Sequence, residues 1–346
     1  MSTITATPPA SRREVEQRLK LYRAYTWDVM RRYLVVKEPK RYLWDIVRDY
    51  PVRGGKGLRP GLCIATCRAF GGSIDDALHA AASLELLHSA ILVHDDIADG
   101  STRRRGRSTL SQKHGVPLAL NAGDALAFLS VEALYATVPL LHQRAAPLVA
   151  MFQETVQRAL EGQAIELGWI RENVCDLTES DYLRMTLLKT CWYSVIQPCR
   201  AGAHIGTRGR ADPGDFLRFG FYFGAAFQIR DDLRNFEHED GPNDVRADDL
   251  IEGKRTLTLI NLLRVLAPEE RAELVAFLAL PRERRDPDVA RHFAALMKHH
   301  GCIEVARDWM RALADRAIEE FEAAYGDLDD SDDKRFLRGL VPYVLS

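Results

Sequence analysis

Two short acidic stretches hold the side chains most able to do chemistry. In "LVHDDIADGSTRRRG", residues 92–106, Asp95, Asp96 and Asp99 follow an apolar run and three arginines come directly after. At about 100° per residue, Asp95 and Asp99 lie roughly 40° apart on a helix, with Asp96 on the adjacent edge. Three carboxylates placed this way can converge beyond the helix surface. Oxygen-only donors suit Mg²⁺, which keeps several waters and bridges to substrate phosphates. Taken alone, the pattern is equally that of a chance acidic helix end.

The stretch "FQIRDDLRNF" repeats the arrangement with Asp231, Asp232 and Asn235, again behind an apolar helical run. Local sequence does not explain an echo so far along the chain. Acidic patches facing each other across a bundle would repel unless cations sat between them. Two or three Mg²⁺ ions holding a polyanion would resolve this. A diiron bundle is the competing reading, but it needs Glu-x-x-His pairs on facing helices, and none stands at suitable positions.

Cations lie where a polyanion would need them. Arg103, Arg104 and Arg105 follow the first acidic set, with guanidinium forks able to take phosphate oxygens bidentately. Upstream, "GGKGLRP" at 54–60 offers Lys56 and Arg59 from a glycine-rich turn that opens a helix, where an anion is favoured. The P-loop endings "GKS" and "GKT" are missing there, so a nucleotide is not implied. His88 lies two turns before Asp95; Lys189 sits in the apolar "LLKTCWY", and Lys254 in "EGKRT". Singly, each is more commonly a solvated surface residue; the apolar setting of Lys189 argues otherwise.

Helices must position these groups. Apolar residues recur at three- and four-residue spacing almost throughout, and no alternating strand pattern runs beyond a few residues. Breaks fall at "YPVRGGKG", "HGVP", "RGRADPGD", "HEDGPND" and "LAPEE". The spacing predicts an all-α fold of about ten or more helices, as one domain over 13–346 behind a disordered tail at 1–12. The acidic run "DLDDSDD" at 327–333 reads as a solvated turn between helices.

Composition narrows the classes of function. With 346 residues, 47% hydrophobic and 28% charged, the chain is long enough for a large core. A net charge of −2 gives no sign of a nucleic-acid footprint. No run reaches the roughly 18 apolar residues of a membrane span, and the start lacks an apolar signal core. The six scattered cysteines have no zinc spacing and suit a reduced cytoplasm; Cys63 and Cys67 read as small core residues.

Taken together, "GGKGLRP", "LELLHSAILVHDDIADGSTRRRG", "GDAL", "EGQAIEL", "LLKT", "FQIRDDLRN" and "EGKRTL" make the chain resemble the trans-isoprenyl diphosphate synthases, the polyprenyl synthetase family that includes geranylgeranyl and farnesyl diphosphate synthases. The resemblance covers about 15–345. It implies a single helical bundle of the isoprenoid synthase type with a central cavity, and head-to-tail condensation of isopentenyl diphosphate with an allylic prenyl diphosphate. The allylic diphosphate would be held through Mg²⁺ by Asp95, Asp96, Asp99, Asp231 and Asp232, with Arg104, Lys189 and Lys254 on its phosphates. Isopentenyl diphosphate would sit on Lys56, Arg59, His88 and Arg105, and Thr190 and Gln228 match positions that touch the reacting region. A homodimer is implied, and no membrane insertion.

Two departures stand out. Asn235 replaces the third aspartate of many members, though an amide oxygen can still serve as a ligand. The stretch before Asp249 lacks a lysine that many relatives carry, with Asp244 near its place. By the resemblance, product length is set beside the helix of the first acidic set. Ala90 stands where short-chain members often have an aromatic residue, with Ile91, Leu87 and Leu84 nearby. A small residue there favours a C20 product, geranylgeranyl diphosphate, unless Leu126, Phe128 or Tyr135 closes the tunnel. Farnesyl or longer-chain synthesis, a class I terpene cyclase and a non-catalytic regulatory subunit are the alternatives.

Overall fold

Serine and threonine caps set where the helices start. Ser11 and Glu14 form a reciprocal capping box at the helix Arg12–Tyr33, Ser73 and Asp76 another at Ile74–Ala98, and Thr178 and Asp181 a third at Glu179–Thr186. The computed structural model describes residues 8–236 and 247–345. Ser11 and Arg12, placed by the sequence in a disordered tail, belong to the first helix. Ala10 donates its backbone N–H to the Arg335 carbonyl at 3.0 Å. The break "HEDGPND" and Asp244 lie outside the described residues. The other breaks each hold a helix end, though Tyr50–Arg53 stay helical with Pro51 inside the helix and Pro268–Glu270 begin the next: Asp45–Arg53 ends before Gly54, Leu110–His114 before Gly115, Gln197–Gly206 before 208–215, and Leu257–Val265 before Pro268–Ala279.

The fold is all-α. Among the described residues the one sheet is a hairpin of two-residue strands, Arg103–Arg104 against Arg107–Ser108. Arg105 and Gly106 turn it with φ of 52° and 75°. Positive φ at both central residues matches the right-handed twist of a tight hairpin, and glycine reaches it without strain.

Residue contacts divide the chain into two compact units. The first comprises Met1–Thr155, Tyr193–Leu217 and Phe321–Tyr343, and the second Val156–Trp192, Arg218–Glu320 and Val344–Ser346. In the first, the helix Ile74–Ala98 packs against Val116–Tyr135 and Leu58–Ala69. Leu86, Ala90 and Val93 share a core with Leu126, Leu129, Val29, Met30, Ile46 and Tyr50. Cys63 and Cys67 are fully buried, as the sequence predicts, and all six cysteines are free thiols. The acidic run at 327–333 is not all solvated. Asp333 is buried, takes the Tyr22 hydroxyl, and pairs with Arg68 at 2.6 Å and Arg18 at 3.4 Å, because the helix Asp332–Leu345 docks through it.

The second unit contains Glu179–Thr186, Leu217–Leu233, Asp248–Glu252 and Pro287–His299. Here Gly162 permits a close approach, since a Cβ on it would lie 2.2 Å from the backbone nitrogen of Lys189. That fixes the depth of the helical segment carrying Lys189 against "EGQAIEL".

Two helices, Ile74–Ala98 and Val116–Leu141, are long and apolar enough by length and composition to cross a membrane, although polar residues interrupt both and neither is an unbroken apolar run. The first is apolar around most of its circumference because neighbours cover it on several sides, with 61% of its most apolar window buried.

Candidate functional site

The first unit gathers the first acidic set and most of the basic residues. Asp95 and Asp96 lie in the last turn of Ile74–Ala98, and Asp99 caps its C-terminus, so the expected angular spacing is realised. The three differ in surroundings. Asp95 is half-buried, and Asp99 is buried. Asp96 is only 1% exposed and already engaged. Tyr50 donates its hydroxyl to Asp96 Oδ2, and Arg104 grips Oδ1 through Nε at 2.9 Å and a terminal nitrogen at 2.5 Å. Burial works against the charge of Arg104, but Asp96 outweighs it and holds the guanidinium above its usual pKa. Tyr50 is held neutral, its pKa raised by burial and then by Asp96. Arg104, read from sequence as a phosphate ligand, therefore arrives committed to a carboxylate.

Arg59, His88 and Arg105 come together around Glu85. Arg59 lies 4.5 Å over the Tyr193 ring and donates to the Ser194 hydroxyl at 2.7 Å. The buried Arg59 Nε and His88 Nδ1 have no hydrogen-bond partner among the described residues. Burial, then Arg59, Arg105 and Arg104, hold His88 well below the ordinary imidazole pKa, so it is neutral at pH 7. Burial raises Glu85, with Arg59, Arg105 and Arg23 partly offsetting it. Lys56 is exposed on the glycine turn. More guanidinium than carboxylate in a half-dry place suits an anion.

Chain-length candidates occupy the same unit. Ala90 and Leu87 are buried and Ile91 is half-buried. Leu126 shares the core of Ala90, whereas Phe128 and Tyr135 are 78% and 54% exposed and do not close an interior space beside it.

The second unit holds the other acidic set. Asp231 and Asp232 end the helix Leu217–Leu233, with Asn235 in the following 3₁₀ turn. Asp231 is exposed and takes Arg234 at 2.9 Å. Asp232 accepts from the Tyr182 hydroxyl and the Gln228 amide, each at 2.7 Å, and Gln228 Oε1 takes Thr190 at 2.7 Å. Asn235 donates to Asp249. Burial pushes Asp232 up to about 7, with Tyr182 and Gln228 opposing, and pushes Asp249 well above the carboxylate range. Lys189 pairs with Glu166, and Lys254 with Glu252 at 2.7 Å. Glu166 and Tyr182 escaped the sequence reading. The signal for Glu166 was available, because a lysine in apolar sequence needs a carboxylate and "EGQAIEL" has two.

The donors fit a hard divalent cation in chemistry but not as a closed cage. Asp232 and Asp249 are half-buried acids whose charge burial disfavours, and a cation favours their charged form. Among the described residues no three His, Cys, Asp or Glu side chains are gathered closely enough to hold an ion themselves. Mg²⁺ tolerates such a site because water and phosphate oxygens complete its shell.

The sequence model of the polyprenyl synthetase family matches residues 40–297. The chain belongs to the polyprenyl synthetase family. It is similar to the geranylgeranyl diphosphate synthase of Saccharolobus solfataricus, 32% identical over 275 residues, covering 77% of this chain and 79% of that protein. It is also similar to the octaprenyl diphosphate synthase of Escherichia coli, 29% identical over 293 residues, covering 83% and 84%. In structure it resembles the geranylgeranyl pyrophosphate synthetase of Pyrococcus horikoshii, with a TM-score of 0.83, 26% identity, and coverage of 96% of this chain and 98% of that one. This polyprenyl synthetase is thus a prenyltransferase that makes prenyl diphosphates, and the relatives' names span product lengths.

Proposed function

We propose that the protein joins isopentenyl diphosphate head to tail to an allylic prenyl diphosphate and releases geranylgeranyl diphosphate, C20. Asp95, Asp96, Asp99, Asp231, Asp232 and Asn235 are the proposed ligands of two or three Mg²⁺ ions, and Arg104, Lys189 and Lys254 the proposed cations for the allylic diphosphate. When bound, Mg²⁺ supplies positive charge to the departing pyrophosphate. The chain's own residues do the rest. Arg59, Arg105, Lys56 and neutral His88 hold the isopentenyl diphosphate, which needs no metal. Thr190 and Gln228, hydrogen-bonded to each other, flank the reacting carbons. Apolar walls keep water from the allylic cation.

The observation that carries the C20 reading is Ala90, a methyl group buried among Leu86, Val93, Leu126 and Leu129 one turn before the first acidic set. A larger side chain there would shorten the space open to a growing tail. Purified protein incubated with Mg²⁺, isopentenyl diphosphate and each allylic primer should yield C20, with Ala90→Phe shifting the product to C15 or shorter. A wild-type product of C30 or more, or an unchanged profile in the variant, refutes this reading of length. A hydrocarbon from a single prenyl diphosphate would favour a cyclase, and no product a regulatory subunit.

A homodimer in the cytoplasm completes the proposal. Leu120, Phe128, Val131 and Tyr135 expose a stripe along Val116–Tyr135 of the kind a second copy would cover. Six free thiols fit a reducing compartment.

A further inference from the structure

The hairpin 103–108 cannot stand alone. Two-residue strands give it two residue pairs, and all its residues except Arg104 are exposed; an isolated hairpin of that size has no stability in water. Yet it presents Arg104 to Asp96 and Arg105 to the anion site. Besides the Arg104–Asp96 pair, it is held by Arg53, the last residue of the helix Asp45–Arg53, which the sequence reading did not single out.

The Arg53 side chain is 2% exposed, and its guanidinium is used in three directions. Nε donates to Asp49 at 2.5 Å, one terminal nitrogen to the Arg104 carbonyl at 2.9 Å, and the other to the Ser108 carbonyl at 2.7 Å. The two carbonyls belong to opposite strands, so one planar fork clasps the hairpin across its width. The fork is itself fixed: it lies 4.5 Å over the ring of Tyr50, and Asp49 is also held by Lys113 at 2.9 Å. Tyr50 is the residue whose hydroxyl reaches Asp96.

The backbone after Arg53 is the glycine-rich turn carrying Lys56. That turn also meets the hairpin, since a Cβ on Gly55 would lie 2.9 Å from a terminal nitrogen of Arg105. One residue therefore joins both segments that offer cations to the anion site. We propose that Arg53 is a positioning residue that clasps the hairpin and sets Arg104 and Arg105 for diphosphate binding. The role rests on the function proposed above.

Arg53→Lys tests it. Lysine keeps the charge beside Asp49 but cannot make the planar three-way contact. Calorimetric binding of isopentenyl diphosphate without metal should weaken about tenfold, one pairwise charge-assisted hydrogen bond in scale. Amide hydrogen exchange over 103–108 should quicken, while exchange in the helix Leu58–Ala69 stays as in the wild type. Asp49→Asn, which leaves the fork in place but loosens Nε, should give the same two changes to a smaller degree, and it decides the matter if the lysine variant fails to fold. Wild-type affinity and wild-type hairpin exchange in a folded variant overturn the proposal, as does faster exchange spread evenly over the unit. A wild-type protein that binds no isopentenyl diphosphate overturns instead the reading of function, and hairpin exchange still shows whether Arg53 is the clasp.

Discussion

The two acidic sets share a spacing and differ in what the protein has placed against them. In the first, the buried carboxylate of Asp96 meets a fixed cation, Arg104, and a phenol, Tyr50. In the second, the hydrogen-bond donors to half-buried Asp232 are neutral, the Tyr182 phenol and the Gln228 amide. Neutral donors satisfy geometry but leave the charge to burial, which pushes Asp232 up to about 7. Asp96 thus has a cation within hydrogen-bond distance, whereas Asp232 is hydrogen-bonded by neutral groups and feels Lys254 through its charge.

The largest effect should come from the carboxylates themselves. Asp95→Ala removes an oxygen donor without disturbing the Asp96–Arg104 pair, and kcat should fall by about 10³-fold or more, the scale of losing one preorganised electrostatic contact at a departing anion. Circular dichroism and the melting midpoint should stay near wild type, because Asp95 is not part of the core. Near-normal turnover would remove the first acidic set from the chemistry and with it the comparison.

A middle-sized effect separates the sets by pH. An acid raised by burial from its ordinary 3.8 to about 7 holds its proton more tightly in the folded chain than in the unfolded one. Between those values the folded state binds more protons, so stability is greatest at the acidic end and falls as pH rises toward 7, by up to ~1.4 kcal/mol per pH unit. Melting of the metal-free protein should therefore drop by several degrees from pH 5 to 7.5. Asp232→Asn should flatten that fall, and Mg²⁺ with pyrophosphate should flatten it in the wild type by stabilising the charged form. A slope unaltered in the Asn variant would mean that Asp232 is solvated like Asp231.

Much of this was legible in the sequence, and the remainder follows a rule. Helical spacing, caps and glycine breaks are local, so the helix ends and the angular grouping of Asp95, Asp96 and Asp99 could be read directly. Lys189 announced itself as a lysine in apolar surroundings. Tyr50, Tyr182 and Arg53 gave no such sign: a tyrosine at helical spacing looks like core and an arginine at a helix end like surface. What makes them matter is a carboxylate or a pair of carbonyls some 50 residues away along the chain. Asp333 misled for the same reason, because its acidic neighbours are exposed and only the fold brings Arg68 and Tyr22 to it.

The smallest effect is the sharpest test of the contrast, since it makes the same change on each side. Tyr50→Phe removes one donor from Asp96 but leaves both Arg104 contacts, so the loss should be about 1 kcal/mol of folding stability. Tyr182→Phe removes one of two neutral donors from Asp232. Because that hydroxyl opposes the upward push of burial, the midpoint of the pH-dependent melting should move to higher pH. Thermal melts of the two variants between pH 5 and 8.5 read the difference. If both shift the midpoint alike, Arg104 is not shielding Asp96, and the two sets are electrostatically the same.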